Sequence, residues 1–170
     1  MEMERYIVEL RVPELDELDY RKKLLADRET MSYNIGYSEN DESGCIDFKE
    51  NIWRYWFFQW VNNTPEKYYA YVIKSDENIP VGEVALRYVS EKDAYCINII
   101  IESKYRGNGF SEQALNLLIN IAFKELEANK VFDDFPKSRI AAEKVFEKVG
   151  FKRVTEDIVE LTKLDYLKTK

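Results

Sequence analysis

Lys104-Tyr-Arg-Gly-Asn-Gly-Phe-Ser111 places an arginine and two glycines within four residues, between an apolar run (AYCINIII, 94–101) and a long amphipathic pattern. Glycine lets a chain turn sharply and expose consecutive N–H groups, and a helix starting near Gly109 adds its positive end. Together these make an anion site, to which Arg106 would add charge and Ser111 a hydroxyl. One exposed dipole contact is worth only ~0.3–1 kcal/mol, so several donors would have to act at once. The competing reading is an ordinary strand-to-helix turn with a solvated arginine. A P-loop is excluded, because no glycine is followed by lysine and then serine or threonine. The dinucleotide fingerprint fails too, since Glu112 stands where its third glycine belongs.

Histidine is absent from all 170 residues. Proton transfer therefore falls to Glu, Asp, Tyr, Cys, Lys, a terminus or water, and histidine triads and histidine zinc sites are ruled out. Cys45 and Cys96 form no CxxC pair and read as reduced thiols of a cytoplasmic protein. The net charge of −7, without a basic segment, argues against a nucleic-acid partner and suits a cationic one, or simply solubility. No apolar run approaches the ~18 residues of a membrane span, and MEMERYIVEL lacks a signal peptide's pattern, so no membrane partner is expected.

The elements that must position the turn are read from periodicity. ERYIVELRV is a strand ended by Pro13, and Pro13 to Asp27 an amphipathic helix. A long polar excursion, SYNIGYSENDESGCIDF, follows. Residues 51–61, with Trp53, Tyr55, Trp56, Phe57, Phe58 and Trp60, predict a helix packed hard on the core. Segments 67–75, 80–89 and 94–101 predict an antiparallel meander. Apolar residues from Ala114 to Leu126 predict a helix over 109–129, KVFDDF a strand, SRIAAEKVFEKVGF a helix closed by a left-handed Gly150, and the tail a strand or hairpin. One domain spans 1–170.

Arg106-Gly-Asn-Gly-Phe-Ser111, the strand before it, the long helix after it and the closing Gly150-Phe151 resemble the GNAT-type N-acetyltransferases over about residues 80–151. The opening LRVPELDELD resembles the Rim-like and polyamine branches more faintly. The resemblance implies an α/β (α+β) fold with a mixed, mostly antiparallel, centrally splayed sheet flanked by helices. It also implies acetyl-coenzyme A as co-substrate and no metal. Residues Arg106, Gly107, Asn108, Gly109, Phe110 and Ser111 would hold its diphosphate. Main-chain N–H groups of Ile99, Ile100 and Ile101 would stabilise the thioester oxygen as it gains charge. Two positions depart from the family: Phe146 stands where a tyrosine often protonates the leaving thiolate, and Arg139 where an asparagine often contacts the cofactor.

Acetyl transfer to an amine needs a base, because an amine of pKa ~10.4 is unprotonated in roughly one molecule in two thousand at pH 7, a penalty of about 4.6 kcal/mol. Glu83, a charge inside the apolar PVGEVAL, is the first candidate, with a solvated sheet edge as its plainer explanation. Asp134 of FDDF is the second, with helix capping as the alternative. For the acceptor, a small cationic molecule or a protein amine, Tyr33, Tyr37, Glu39, Asp41, Glu42 and Asp47 offer aromatic faces and negative charge within the region 28–66. Two other readings stay open: a non-catalytic acyl-coenzyme A binding module, and an interaction protein using the aromatic 51–60 segment. A homodimer is one candidate assembly.

Overall fold

The structure, a computed structural model, describes residues 7–35 and 42–169. Among the described residues, seven strands form one sheet, in which the strands numbered along the chain stand in the order first, second, third, fourth, fifth, seventh, sixth. The meander predicted from the β-branched and aromatic runs is present as β2 (Lys67–Lys74), β3 (Ile79–Val89) and β4 (Ala94–Ile101), all antiparallel, with β1 (Val8–Arg11) on the outer edge of β2. Alternation assigns the faces: Ala70 and Val72 of β2 join the large core, and Tyr69, Tyr71 and Ile73 join a second cluster on the other side.

The next neighbour, β5 (Lys130–Asp134), runs parallel to β4 and pairs with it only at Tyr95↔Val131 and Cys96↔Phe132. Beyond Cys96 the two strands part, and this is the central splay. The other half of the sheet is completed by β6 (Lys152–Arg153) and β7 (Ile158–Thr162), a hairpin. Helix α4 (Phe110–Asn120) buries Phe110, Ala114, Leu115, Leu118 and Ile119 against the large core, and α5 (Ile140–Val149) packs beside it. On the opposite face lie α1 (Asp19–Ala26), the one-turn α2 (Arg28–Met31) and α3 (Trp53–Trp60).

Four elements differ from the periodicity. The helix expected from Pro13 begins as a 3-10 turn, Leu15–Glu17, in which the Glu17 carboxylate accepts from the Glu14 N–H at 2.9 Å; the α-helix proper starts at Asp19. The α4 pattern stops short of 129: Ile121–Glu125 widen into a π turn closed by Leu126 N–H to Ile121 O at 3.0 Å, and Glu127 takes φ 55°. Helix α3 is only half-buried, with Tyr55 and Phe58 exposed, because its aromatics surround the helix and one face suffices for packing. The tail adds α6 (Lys163–Lys168), capped by the Thr162 hydroxyl accepting from Asp165 N–H and anchored by the buried Tyr166 ring stacked on Phe123 at 4.5 Å.

Gly82 on β3 is required by a close approach. A Cβ there would lie 2.2 Å from the Ile100 carbonyl oxygen on β4. Gly82→Ala is expected to cost about 1–3 kcal/mol and to disturb β4 where it enters the splay, read as a lowered urea midpoint.

Candidate active site

A cleft of about 740 Å³ fills the splay between β4, β5, the N-terminus of α4 and one side of α5. Glycine conformation builds its first wall. Gly107 and Gly109 take φ 82° and 78°, and Gly109 is the residue from which α4 starts. No atom of the described residues lies within 4 Å of where a Cβ would stand at either, so backbone freedom, not space, asks for glycine. The first N–H groups of α4 have no partner within the helix, and Gly107, Gly109, Phe110 and Ser111 line the cleft. Asn108 does not line it. Its amide donates to the Tyr105 and Arg106 carbonyls at 2.9 and 3.3 Å, bracing the turn from outside.

Arg106 lines the cleft with part of its guanidinium already committed, since Nη2 donates to the Thr30 carbonyl at 2.9 Å. Four N–H bonds are left for a phosphate. Ile99, Ile100 and Ile101 form the floor, on the part of β4 that β5 has left, so one main-chain edge there faces the opening.

The opposite wall carries Asp133, Asp134, Phe135, Arg139 and Phe146. Phe146 is a buried ring, tilted on Phe135 at 5.2 Å and edge-on to Phe151 at 4.9 Å. It carries no proton to give. Arg139 precedes α5 and lies over the rings of Tyr33 at 4.8 Å and Phe135 at 5.7 Å. Asp134 is exposed on the rim, caps no helix, and donates its N–H to Asp133 Oδ1 at 2.7 Å.

Sequence reasoning named Asp134 and passed over its neighbour Asp133. Asp133 is the half-buried one, and burial pushes its carboxyl from 3.8 up to about 7, against the opposing pull of the Asp134 N–H and the Arg139 charge. The strand period held the signal, because Asp133 shares a face with the buried Val131.

Glu83 stands elsewhere than on a solvated edge. It is fully buried on the face covered by α1 and α3 and is absent from the cleft lining. Its Oε2 accepts from Arg21 Nε at 3.1 Å and from the Tyr69 hydroxyl, whereas Oε1 has no partner among the described residues. The Arg21 guanidinium lies over Trp56 at 4.3 Å and Phe48 at 4.5 Å, two rings that meet each other edge-on. Burial, aided by the Glu83 charge, raises the Tyr69 hydroxyl well above its ordinary range.

Of the residues expected to meet the acceptor, Tyr33 lines the cleft, and so does Asn34 beside it. Burial and, next, Glu83 raise the Tyr33 hydroxyl, while Arg139 and Arg106 pull it down. Glu42 and Asp47 are exposed and do not reach the cleft. Tyr37, Glu39 and Asp41 lie outside the described residues. Both thiols are free, and burial pushes Cys96 up to about 11, which makes it a poor nucleophile.

The family model described as acetyltransferase (GNAT) domain matches residues 7–152. The chain belongs to that family. It is thus an N-acetyltransferase, and the implied fold is the one observed. Among solved structures, a spermidine N-acetyltransferase from Vibrio cholerae in complex with CoA and spermine superposes with a TM-score of 0.75 at 18% identity, over 94% of this chain and 98% of that one. A GNAT-family acetyltransferase from Bacillus anthracis gives 0.73 at 17%, over 96% and 99%. A structure titled as a putative ribosomal-protein-serine acetyltransferase from Vibrio cholerae gives 0.63 at 17%, over 95% of each chain. No curated protein sequence matches the chain. Among the described residues, no helix is long and apolar enough to cross a membrane.

Proposed function

We propose that this acetyltransferase moves the acetyl group of acetyl-coenzyme A to a primary amine of a small cationic molecule, with Asp133 as the base. The observation that carries the reading is a carboxyl poised near neutrality in the cleft, between the α4 N-terminus and the free edge of β4. A base works best with a pKa near the working pH.

In the reaction the neutral amine nitrogen attacks the thioester carbonyl. A new C–N bond forms, and the oxygen gains charge that main-chain N–H groups of Ile99–Ile101 would meet. The C–S bond then breaks, the amine proton passes to Asp133, and coenzyme A leaves as the thiolate. Its thiol, of pKa ~8.5, costs only about 2 kcal/mol to leave ionised at pH 7, so Phe146 in place of a tyrosine is tolerable. The diphosphate belongs on the turn Arg106–Ser111. Two features favour a cationic acceptor: the carboxylates of Asp133 and Asp134, and the polyamine named in the Vibrio cholerae structure.

The test is a panel of polyamines, other alkylamines, and peptides with free N-termini or lysines, scored by thiol release and by the mass of the product. Acetylated small amines are expected. Acetylation of peptides alone would move the acceptor class to proteins. Tight coenzyme A binding with no transfer to any amine would favour a non-catalytic binding module.

A further inference from the structure

Thr30 is one of three buried polar or charged residues among those described, with Lys74 and Glu83. Its helix, α2, is a single turn, too short to hold its shape without outside contacts. Those contacts come from the phosphate-binding side. The Thr30 hydroxyl accepts from the Ser103 N–H at 3.0 Å and donates to Asp27 Oδ2 at 2.5 Å, and its carbonyl accepts from Arg106 Nη2 at 2.9 Å. Ser103 Oγ adds a contact to Glu29 Oε2 at 3.4 Å. The 103–106 turn therefore holds α2 at Thr30 and Glu29, and Thr30 in turn ties the helix back to Asp27.

Three residues beyond Thr30, the Tyr33 ring lies against the Arg139 guanidinium at the start of α5, across the cleft. Hydrogen bonds thus tie the phosphate turn to Thr30, the short backbone from Thr30 leads to Tyr33, and the Tyr33 ring meets Arg139 of the far wall. We propose that Thr30 is a positioning residue: through it, coenzyme binding at the Arg106 turn fixes the α2 segment and sets the Tyr33 wall of the acceptor site. This rests on the acetyl-transfer reading above. A diphosphate held by the turn restrains Arg106 and Ser103, and both restrain Thr30, so the energy that orders the turn also orders the acceptor wall. Linkage makes the effect mutual, so acceptor binding tightens coenzyme binding by the same factor.

The hydroxyl is required as donor and acceptor at once. Serine keeps both roles, whereas valine keeps the shape and loses both. Wild type, Thr30→Ser and Thr30→Val are compared by calorimetry with coenzyme A and by amide exchange of residues 28–35 with and without it. In wild type and Thr30→Ser, saturating coenzyme A is expected to slow exchange of 28–35 by about tenfold, a typical coupling. In Thr30→Val the affinity for coenzyme A should stay within about threefold while 28–35 no longer responds, and the acceptor KM should rise about tenfold with kcat little changed.

Should Thr30→Val fail to fold, Arg106→Ala serves instead. It cuts the exposed guanidinium from the Thr30 carbonyl and is read at saturating coenzyme A, where the response of 28–35 should again be lost. A wild-type segment that ignores bound coenzyme A, or a Thr30→Val segment that responds like wild type, overturns the proposal. Absence of any calorimetric signal in wild type would instead overturn the coenzyme site itself, and the coupling with it.

Discussion

Arg21→Ala is expected to lower stability by about 3–5 kcal/mol, because it abandons the Glu83 carboxylate in a fully buried position. Glu83 is 0% exposed and Oε1 already lacks a partner, so the loss of Arg21 Nε leaves the Tyr69 hydroxyl as the remaining donor among the described contacts. The arginine also packs over Phe48 and Trp56, and its removal strips both rings of that contact. Urea unfolding followed by tryptophan fluorescence reads the effect, since Trp56 is in direct contact. The double variant Arg21→Met, Glu83→Leu replaces the pair by apolar groups of similar volume and should recover most or all of the loss. A single variant as stable as wild type would mean that water reaches Glu83, and that its carboxylate is freer for chemistry than the burial implies.

That pair marks where sequence reading stops. Nothing local to PVGEVAL points to Arg21, which is 62 residues away and meets Glu83 only because α1 packs over β3. Side-chain alternation could say that Glu83 shares a face with Tyr69 and Tyr71, not which cation would come down on it. The same limit applies to Thr30, an unremarkable residue in RETM whose role depends on the distant turn at Ser103–Arg106. By contrast, the turn itself was legible, because glycine at φ 82° and 78° and a helix that begins there are local demands written in four adjacent residues. The closing Gly150 was legible for a like reason: it takes φ 117° and donates its N–H to Phe146 O and Glu147 O. Strand order in the meander followed from short connections. The splay was expected from resemblance alone, since it depends on β4 and β5 sharing two residue pairs and no more. Tyr33 was found by its type, as an aromatic in an acidic stretch, and its partner Arg139 was named for a different reason.

Asp133→Asn separates catalysis from stability by moving them in opposite directions. If Asp133 takes the proton, its replacement should lower kcat by about 10²–10⁴. In wild type, kcat at saturating acceptor should climb with pH up to about 7, where the carboxyl has lost its proton, and flatten above it. The asparagine variant should lack that break, and Asp134→Asn should keep it. Stability responds the other way. Burial raises the Asp133 carboxyl from 3.8 to about 7, so between those values the folded chain holds a proton that the unfolded chain has released. Stability therefore falls as pH rises through this window, and above it the buried charge is a standing cost. Asparagine has no proton to lose, so Asp133→Asn should melt at a higher temperature than wild type at pH 8 and at about the same temperature near pH 4. A variant that is both slower and more stable at pH 8 cannot owe its lost activity to unfolding. A variant with an unchanged break near pH 7, or one that melts lower at pH 8, would take the base away from Asp133 and leave water or the acceptor's own surroundings to remove the proton.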